Sequence, residues 1–160
     1  MTSLVRSGYN VQRFHAGRRI QAETVGHHSA NLCAILLELW PDCSRDLLVA
    51  GLMHDVAEGY TGDIPYPVKA DHPSLKASLG LVEAEWYLAN DLPVCNLTDE
   101  EYRQLKIADM FDLILSSREE INMGNTYAAD LINNGIEFLK TLIEEDDELW
   151  LELNRMIMAV

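Results

Sequence analysis

His54 and Asp55 place an imidazole and a carboxylate side by side in the segment LMHDVAEGYTG. A His-Asp pair alone turns up by chance in many chains, and a partly buried His with an exposed Asp is its ordinary reading. The company of this pair gives it more weight. Glu58 follows His54 by four residues, one helical turn on and on the same face. His27 and His28 stand together upstream, and Asp109 lies inside the apolar stretch IADMFDLIL. A carboxylate on an inward helix face needs a partner, and a metal ion is one. Two His and two Asp drawn from three helices could bind one borderline divalent metal inside a bundle, with positions left for water and substrate. Of the five histidines (His15, His27, His28, His54 and His72), only His72 lies between His54 and Asp109. A two-metal site would want more ligands there, so a mononuclear site is expected.

The strings ETVGHHS at 23–29, HDVAEGYTGDIPYPVK at 54–69 and KIAD at 106–109 resemble the HD-domain phosphohydrolase superfamily. Within it the chain is similar to the 5′-deoxynucleotidases and the small phage-type dATP triphosphohydrolases, over roughly residues 9–125. The His-Asp pair is weakly specific, whereas the T-G-D-x-P-x-P-V-K loop is strongly specific for the deoxynucleotide branch. The resemblance implies that His28, His54, Asp55 and Asp109 hold one divalent transition metal: Zn, Co or Mn. His28 is preferred to His27 because Ser29 follows it, as in the family's H-S pair. Glu58 matches the acid that handles the attacking water or the leaving group. Asp63 matches the loop acid that faces the sugar or orients a phosphate-binding Arg.

Arg13 and Phe14 stand 15 and 14 residues before His28, where the family has an Arg and an aromatic. The guanidinium matches phosphate oxygens, and the aromatic packs on the sugar and leaves no space for a 2′-hydroxyl. Family members carry Trp at the position of Phe14. Lys69 and Lys106 match further phosphate-binding positions. The implied reaction is attack by a metal-activated water on the phosphorus bonded to the 5′ oxygen. A triphosphate needs more cationic contacts than a monophosphate. Arg13, Lys69 and Lys106, with Arg18 or Arg19 nearby, therefore favour a dATP-type triphosphohydrolase that releases deoxynucleoside and triphosphate. The alternative is a 5′-deoxynucleotidase releasing deoxynucleoside and phosphate. A non-catalytic nucleotide-sensing domain would not need Glu58, and a two-iron oxygenase would need the histidines that are missing. The resemblance also implies a homo-oligomer.

Positioning these residues requires helices. Glu23 to Trp40, Arg45 to Gly59, Pro73 to Leu92, Tyr127 to Leu142 and Glu148 to Met158 all carry apolar residues at helical spacing. Thr98-Asp99-Glu100-Glu101 is a capping box that opens a further helix, with Leu105, Met110, Leu113 and Ile114 inward. No stretch alternates as a strand would. The expected fold is an all-α, compact HD-domain helical bundle, one domain over 1–160. The exception is Gly59 to Lys69, where a Gly-Asp pair and two prolines spaced by one residue predict a non-helical loop.

Composition narrows the partners. Twelve Lys and Arg against 26 Asp and Glu give a net charge of −14. The charge is uneven: residues 1–22 hold Arg6, Arg13, Arg18 and Arg19 and no acid, so the remaining 138 residues carry −18. That balance disfavours nucleic acid as a partner and leaves a small deoxynucleotide. The best apolar run, Leu47 to Met53, is 7 residues, far short of a membrane span. Three cysteines at no metal-ligand spacing point to a reducing compartment rather than a disulfide scaffold. A cytoplasmic protein is expected, in the host cytoplasm if phage-encoded.

Overall fold

The computed structural model describes residues 1–144 and 147–159. Its helices are α1 (Thr2–Tyr9), α2 (Val25–Leu39), α3 (Arg45–Met53), α4 (Glu58–Thr61), α5 (Tyr66–Asp71), α6 (Pro73–Ala89), α7 (Asp99–Asn122), α8 (Ala129–Leu139) and α9 (Glu148–Ala159), with a 3-10 turn at Thr126–Ala128. The fold is all-α, and no strand forms among the described residues. Among the described residues, no helix is long and apolar enough to cross a membrane.

Local codes explain most helix starts. Thr24, Ser44 and Thr98 cap α2, α3 and α7 by accepting backbone N–H groups of His27, Leu47 and Glu101. At Thr98 the reciprocal bond from the Glu101 carboxylate completes the capping box. The core runs through α2, α3, α7, α8 and α9, with Leu32, Leu36, Leu47, Phe111, Ile114, Leu139 and Leu153 fully buried. Helix α7 is its axis. Its inward face is Leu105, Ile107, Ala108, Phe111 and Ile114, while Met110 and Leu113 are only half-buried.

Two expectations fail locally. The helix expected over Arg45 to Gly59 stops at Met53, and a turn with i→i−3 bonds (Glu58 to Asp55, Gly59 to Val56) separates it from α4. At three residues per turn, Glu58 follows Asp55 rather than continuing the His54 face. The turn buries Val56 and Ala57 and leaves His54 and Asp55 facing the other way. The Gly59 to Lys69 loop is also partly helical, since Tyr66–Asp71 is a helix with Pro67 in its first turn. Proline is tolerated there because the N–H it lacks has no intrahelical partner. Helix α6 buries none of its residues, and Leu75, Leu81, Val82 and Leu88 are exposed.

The basic N-terminal segment, for which no helix was expected, begins with α1. Its Gly8 abuts α4 so closely that a Cβ on Gly59 would lie 2.8 Å from the Gly8 nitrogen. The chain then returns antiparallel to itself. Arg13 N–H donates to the Glu23 carbonyl at 2.9 Å, and Val25 N–H to that of Val11 at 2.9 Å. This return brings Arg13 and Phe14 beside the start of α2.

Candidate active site

His28 lies in the first turns of α2, Asp109 near the middle of α7, and His54 and Asp55 in the tight turn after α3. Their side chains converge. Asp109 bridges the two imidazoles, with Oδ1 3.3 Å from His28 Nε2 and Oδ2 3.3 Å from His54 Nε2. Asp55 lies 3.5 Å from His54 Nε2 and 3.8 Å from His28 Nε2. His27, by contrast, is exposed. His28 is fully buried, yet its Nε2 has no aligned hydrogen-bond partner. A buried imidazole nitrogen ringed by carboxylates fits a divalent cation, and His28, His54 and Asp109 offer donor atoms all within 4.8 Å of one another.

The electrostatics show what this cluster does without a cation. Burial pulls the His28 imidazole down, but the Asp109 and Asp112 carboxylates outweigh it and lift its pKa to about 9. Burial works against ionisation of Asp109, and the His54 and His28 imidazoles with Lys106 still hold its pKa well below the usual carboxylate value. Without a metal, these carboxylates favour the protonated His28 imidazole.

A cavity of about 250 Å³ opens on this cluster, lined by His54, Asp55, Glu58, Lys69, Lys76 and Lys106 among others. Glu58 is buried, and its Oε2 has no hydrogen-bond partner. Burial, reinforced by Asp55 and Asp63, raises its pKa to about 8. Such a carboxyl can donate or accept a proton near neutral pH. Lys106 Nζ is 3.3 Å from Asp109 Oδ2. Lys69 lies on the same wall, near Glu58 and Glu83.

The N-terminal residues meet the site from the other side. Phe14 adopts a left-handed backbone conformation, φ 55°, and its N–H donates to Asp63 Oδ2 at 3.1 Å. Two guanidinium groups approach its ring, that of Arg13 at 5.1 Å and that of Arg19 at 4.5 Å from the centroid. Arg13 donates to Glu23 at 2.7 Å and lies 3.8 Å from Asp112. Of the further cations counted from the sequence, Arg18 is engaged elsewhere, whereas Arg19 shares Glu23 with Arg13. Arg18 stacks on Tyr127, and Arg19 pairs with Glu23 and faces Glu120.

Sequence reasoning missed Lys76, Glu83, Glu23 and Asp112. The signal for Asp112 was present: a second carboxylate three residues after Asp109 in the same apolar stretch, buried one turn on. Lys76 stands in α6, a segment otherwise read only for its apolar residues.

Known proteins share both the sequence pattern and the architecture. A 5′-deoxynucleotidase of Photobacterium profundum is 28% identical over 138 residues, 72% of this chain and 71% of that protein. Among solved structures, the cyanophage S-2L HD phosphohydrolase DatZ, bound to dA and one catalytic Zn²⁺ ion, superposes with a TM-score of 0.77. It is 18% identical, with 100% of this chain and 98% of DatZ covered. An HD-domain phosphohydrolase of Listeria innocua superposes with a TM-score of 0.69 at 19% identity, covering 99% of this chain and 96% of that one. The sequence model of the YfbR-like 5′-deoxynucleotidases matches residues 3–146. A match over nearly the whole chain, motif strings included, places it by descent as well as by shape: the chain belongs to the YfbR-like 5′-deoxynucleotidase family of HD-domain phosphohydrolases that act on deoxynucleotides.

Proposed function

We propose that the chain hydrolyses 5′-deoxynucleoside monophosphates to deoxynucleoside and phosphate, using one divalent metal held by His28, His54, Asp55 and Asp109. The observation that carries this reading is the bridging of two imidazoles by Asp109, next to a cavity lined by His54, Asp55 and Glu58. The metal, Zn, Co or Mn, supplies Lewis-acid activation of water and of a phosphate oxygen. Glu58 takes a proton from the attacking water and returns one to the 5′ oxygen as the P–O bond breaks. Arg13 and Lys106 flank the cluster and offset phosphate charge. Phe14, packed against Arg13 and Arg19 and tied to Asp63, bounds the sugar site.

Two observations favour a monophosphate over the dATP reading. Arg18 stacks on Tyr127 and is not among the residues lining the cavity, so it is not placed for a longer phosphate chain. The P. profundum relative is a 5′-deoxynucleotidase. The second reading, dNTP hydrolysis to deoxynucleoside and triphosphate, is favoured by three lysines, Lys69, Lys76 and Lys106, that line the cavity. Asp55 and Glu83, which also line it, offset part of that charge. The homo-oligomer expected from the sequence remains part of the proposal, supported by the exposed apolar residues of α6, and light scattering tests it.

Incubation of the metal-loaded protein with dNMPs and dNTPs decides between the substrates. Orthophosphate from dAMP with dATP untouched is the expected result. Triphosphate from dATP makes the second reading correct, and Lys69→Ala then weakens dATP more than dAMP. Phe14→Ala is expected to admit ribonucleotides while phosphate binding stays largely intact, and an unchanged ribose discrimination removes Phe14 from its role.

A further inference from the structure

His28 belongs to two acidic clusters at once. Through Nε2 it faces Asp109 and Asp55, and through Nδ1 it contacts Asp112 Oδ2 at 2.7 Å. The second cluster, Glu23, His28 and Asp112, is fully buried and also has donor atoms within 4.8 Å of one another. It is not built for a cation. Arg13 already stands between its carboxylates, 2.7 Å from Glu23 and 3.8 Å from Asp112, and a second positive charge there would be repelled. The other role open to a buried carboxylate 2.7 Å from a ring nitrogen is to accept its proton in a hydrogen bond.

We propose that Asp112 is the positioning residue of the metal centre: it accepts the Nδ1–H of His28, fixes the ring, and directs the Nε2 lone pair at the metal between Asp55, His54 and Asp109. Three features of the network support this. Neutral imidazole carries one proton, and a bond that holds it on Nδ1 leaves Nε2 free as a ligand. Such an outer partner fixes both tautomer and ring orientation, and its loss typically weakens metal affinity by about 10–100-fold. Asp112 is itself held. It is 3% exposed, it sits one turn beyond Asp109 on α7, and Arg13, anchored by Glu23, faces its carboxylate. Helix α7 thus presents one ligand and, three residues on, the support for another, so both move as one rigid unit.

This inference rests on the metal reading of the site, and the experiment separates the two. Zinc and cobalt affinities are measured by chelator competition for wild type, Asp112→Ala and Asp112→Asn, with circular dichroism and melting of each metal-free protein as the folding control. If wild type binds neither metal, the metal reading itself fails. If wild type binds, Asp112→Ala is expected to lose about 10–100-fold in affinity. Asp112→Asn, which keeps an acceptor oxygen for Nδ1–H, is expected to recover most of it. A folded Asp112→Ala protein with wild-type affinity overturns the inference. If the variants do not fold, imidazole ¹⁵N–¹H correlation spectra of the zinc-loaded wild type decide. A proton on His28 Nδ1 with zinc on Nε2 is expected. A proton on Nε2, or zinc on Nδ1, overturns the inference.

Discussion

The main-chain N–H of Phe14 donates to the Asp63 carboxylate across 49 residues of sequence, at 3.1 Å. The bond joins a left-handed residue of the N-terminal segment to the turn after Gly62, whose own φ is 79°. Non-glycine residues rarely hold a positive φ, and they do so where surrounding contacts enforce it. Asp63 is such a contact, so it holds the Arg13-Phe14 pair in place through the backbone.

Replacing Asp63 by Ala is therefore expected to loosen the N-terminal segment while leaving the metal cluster intact. KM for the deoxynucleotide should rise more than kcat falls, and discrimination against ribonucleotides should weaken. Steady-state kinetics on dAMP and AMP, with metal content measured alongside, check this. A pure loss of kcat at unchanged KM would show that Asp63 acts at the reacting atoms instead.

His54→Ala and Asp109→Ala are each expected to strip the metal and abolish hydrolysis. Asp109 touches both imidazoles, so its removal also takes from the two His Nε2 atoms the nearer of the two carboxylates they share. Metal content by elemental analysis and turnover together test this. A variant that keeps both removes its residue from the ligand set.

Glu58→Gln is expected to keep the fold and the metal but to lose on the order of 10²–10⁴-fold in rate, the usual cost of removing a general acid or base. Its carboxyl lines the cavity and is not among the atoms clustered around His28, His54 and Asp109. Nearly normal turnover by the variant would reduce Glu58 to a buried cavity-wall carboxyl.

Without metal, stability is expected to fall as pH rises from about 4.5 to about 9. The charged His28, whose pKa rises from 6.5 to about 9 on folding, contributes stability that is complete below the lower value and lost through the upper one. Glu58, raised from 4.5 to about 8, adds a cost that is absent below the lower value and complete above the upper one. Both groups bind more protons folded than unfolded, so their signs agree. Denaturant midpoints in chelator across that range test the slope, which Glu58→Gln should flatten. A midpoint that rises with pH contradicts the assignment of protons to this cluster.

The helical class is a local property, and the sequence alone determines it. Apolar residues at helical spacing and the Thr98–Glu101 box act within one or two turns of the chain, and the structure reproduces them. The residue types able to do chemistry were equally legible, because the motif strings keep His28, His54, Asp55, Glu58 and Asp109 in short fixed patterns. Only the tertiary structure decided how those residues pair. The break after Met53 comes from a tight turn that buries Val56 and Ala57, and helical periodicity runs straight through that position without marking it. The bond from His28 to Asp112 spans 84 residues, and that from Asn125 to the Arg18 carbonyl spans 107. Which cations remain available for phosphate depends on contacts of this kind: Arg19 is held by Glu23 and Arg18 lies on Tyr127, while Lys76 reaches the cavity wall from α6. Charge counted along the chain does not show which charges are already neutralised, because neutralisation depends on distances that only the packed helices set.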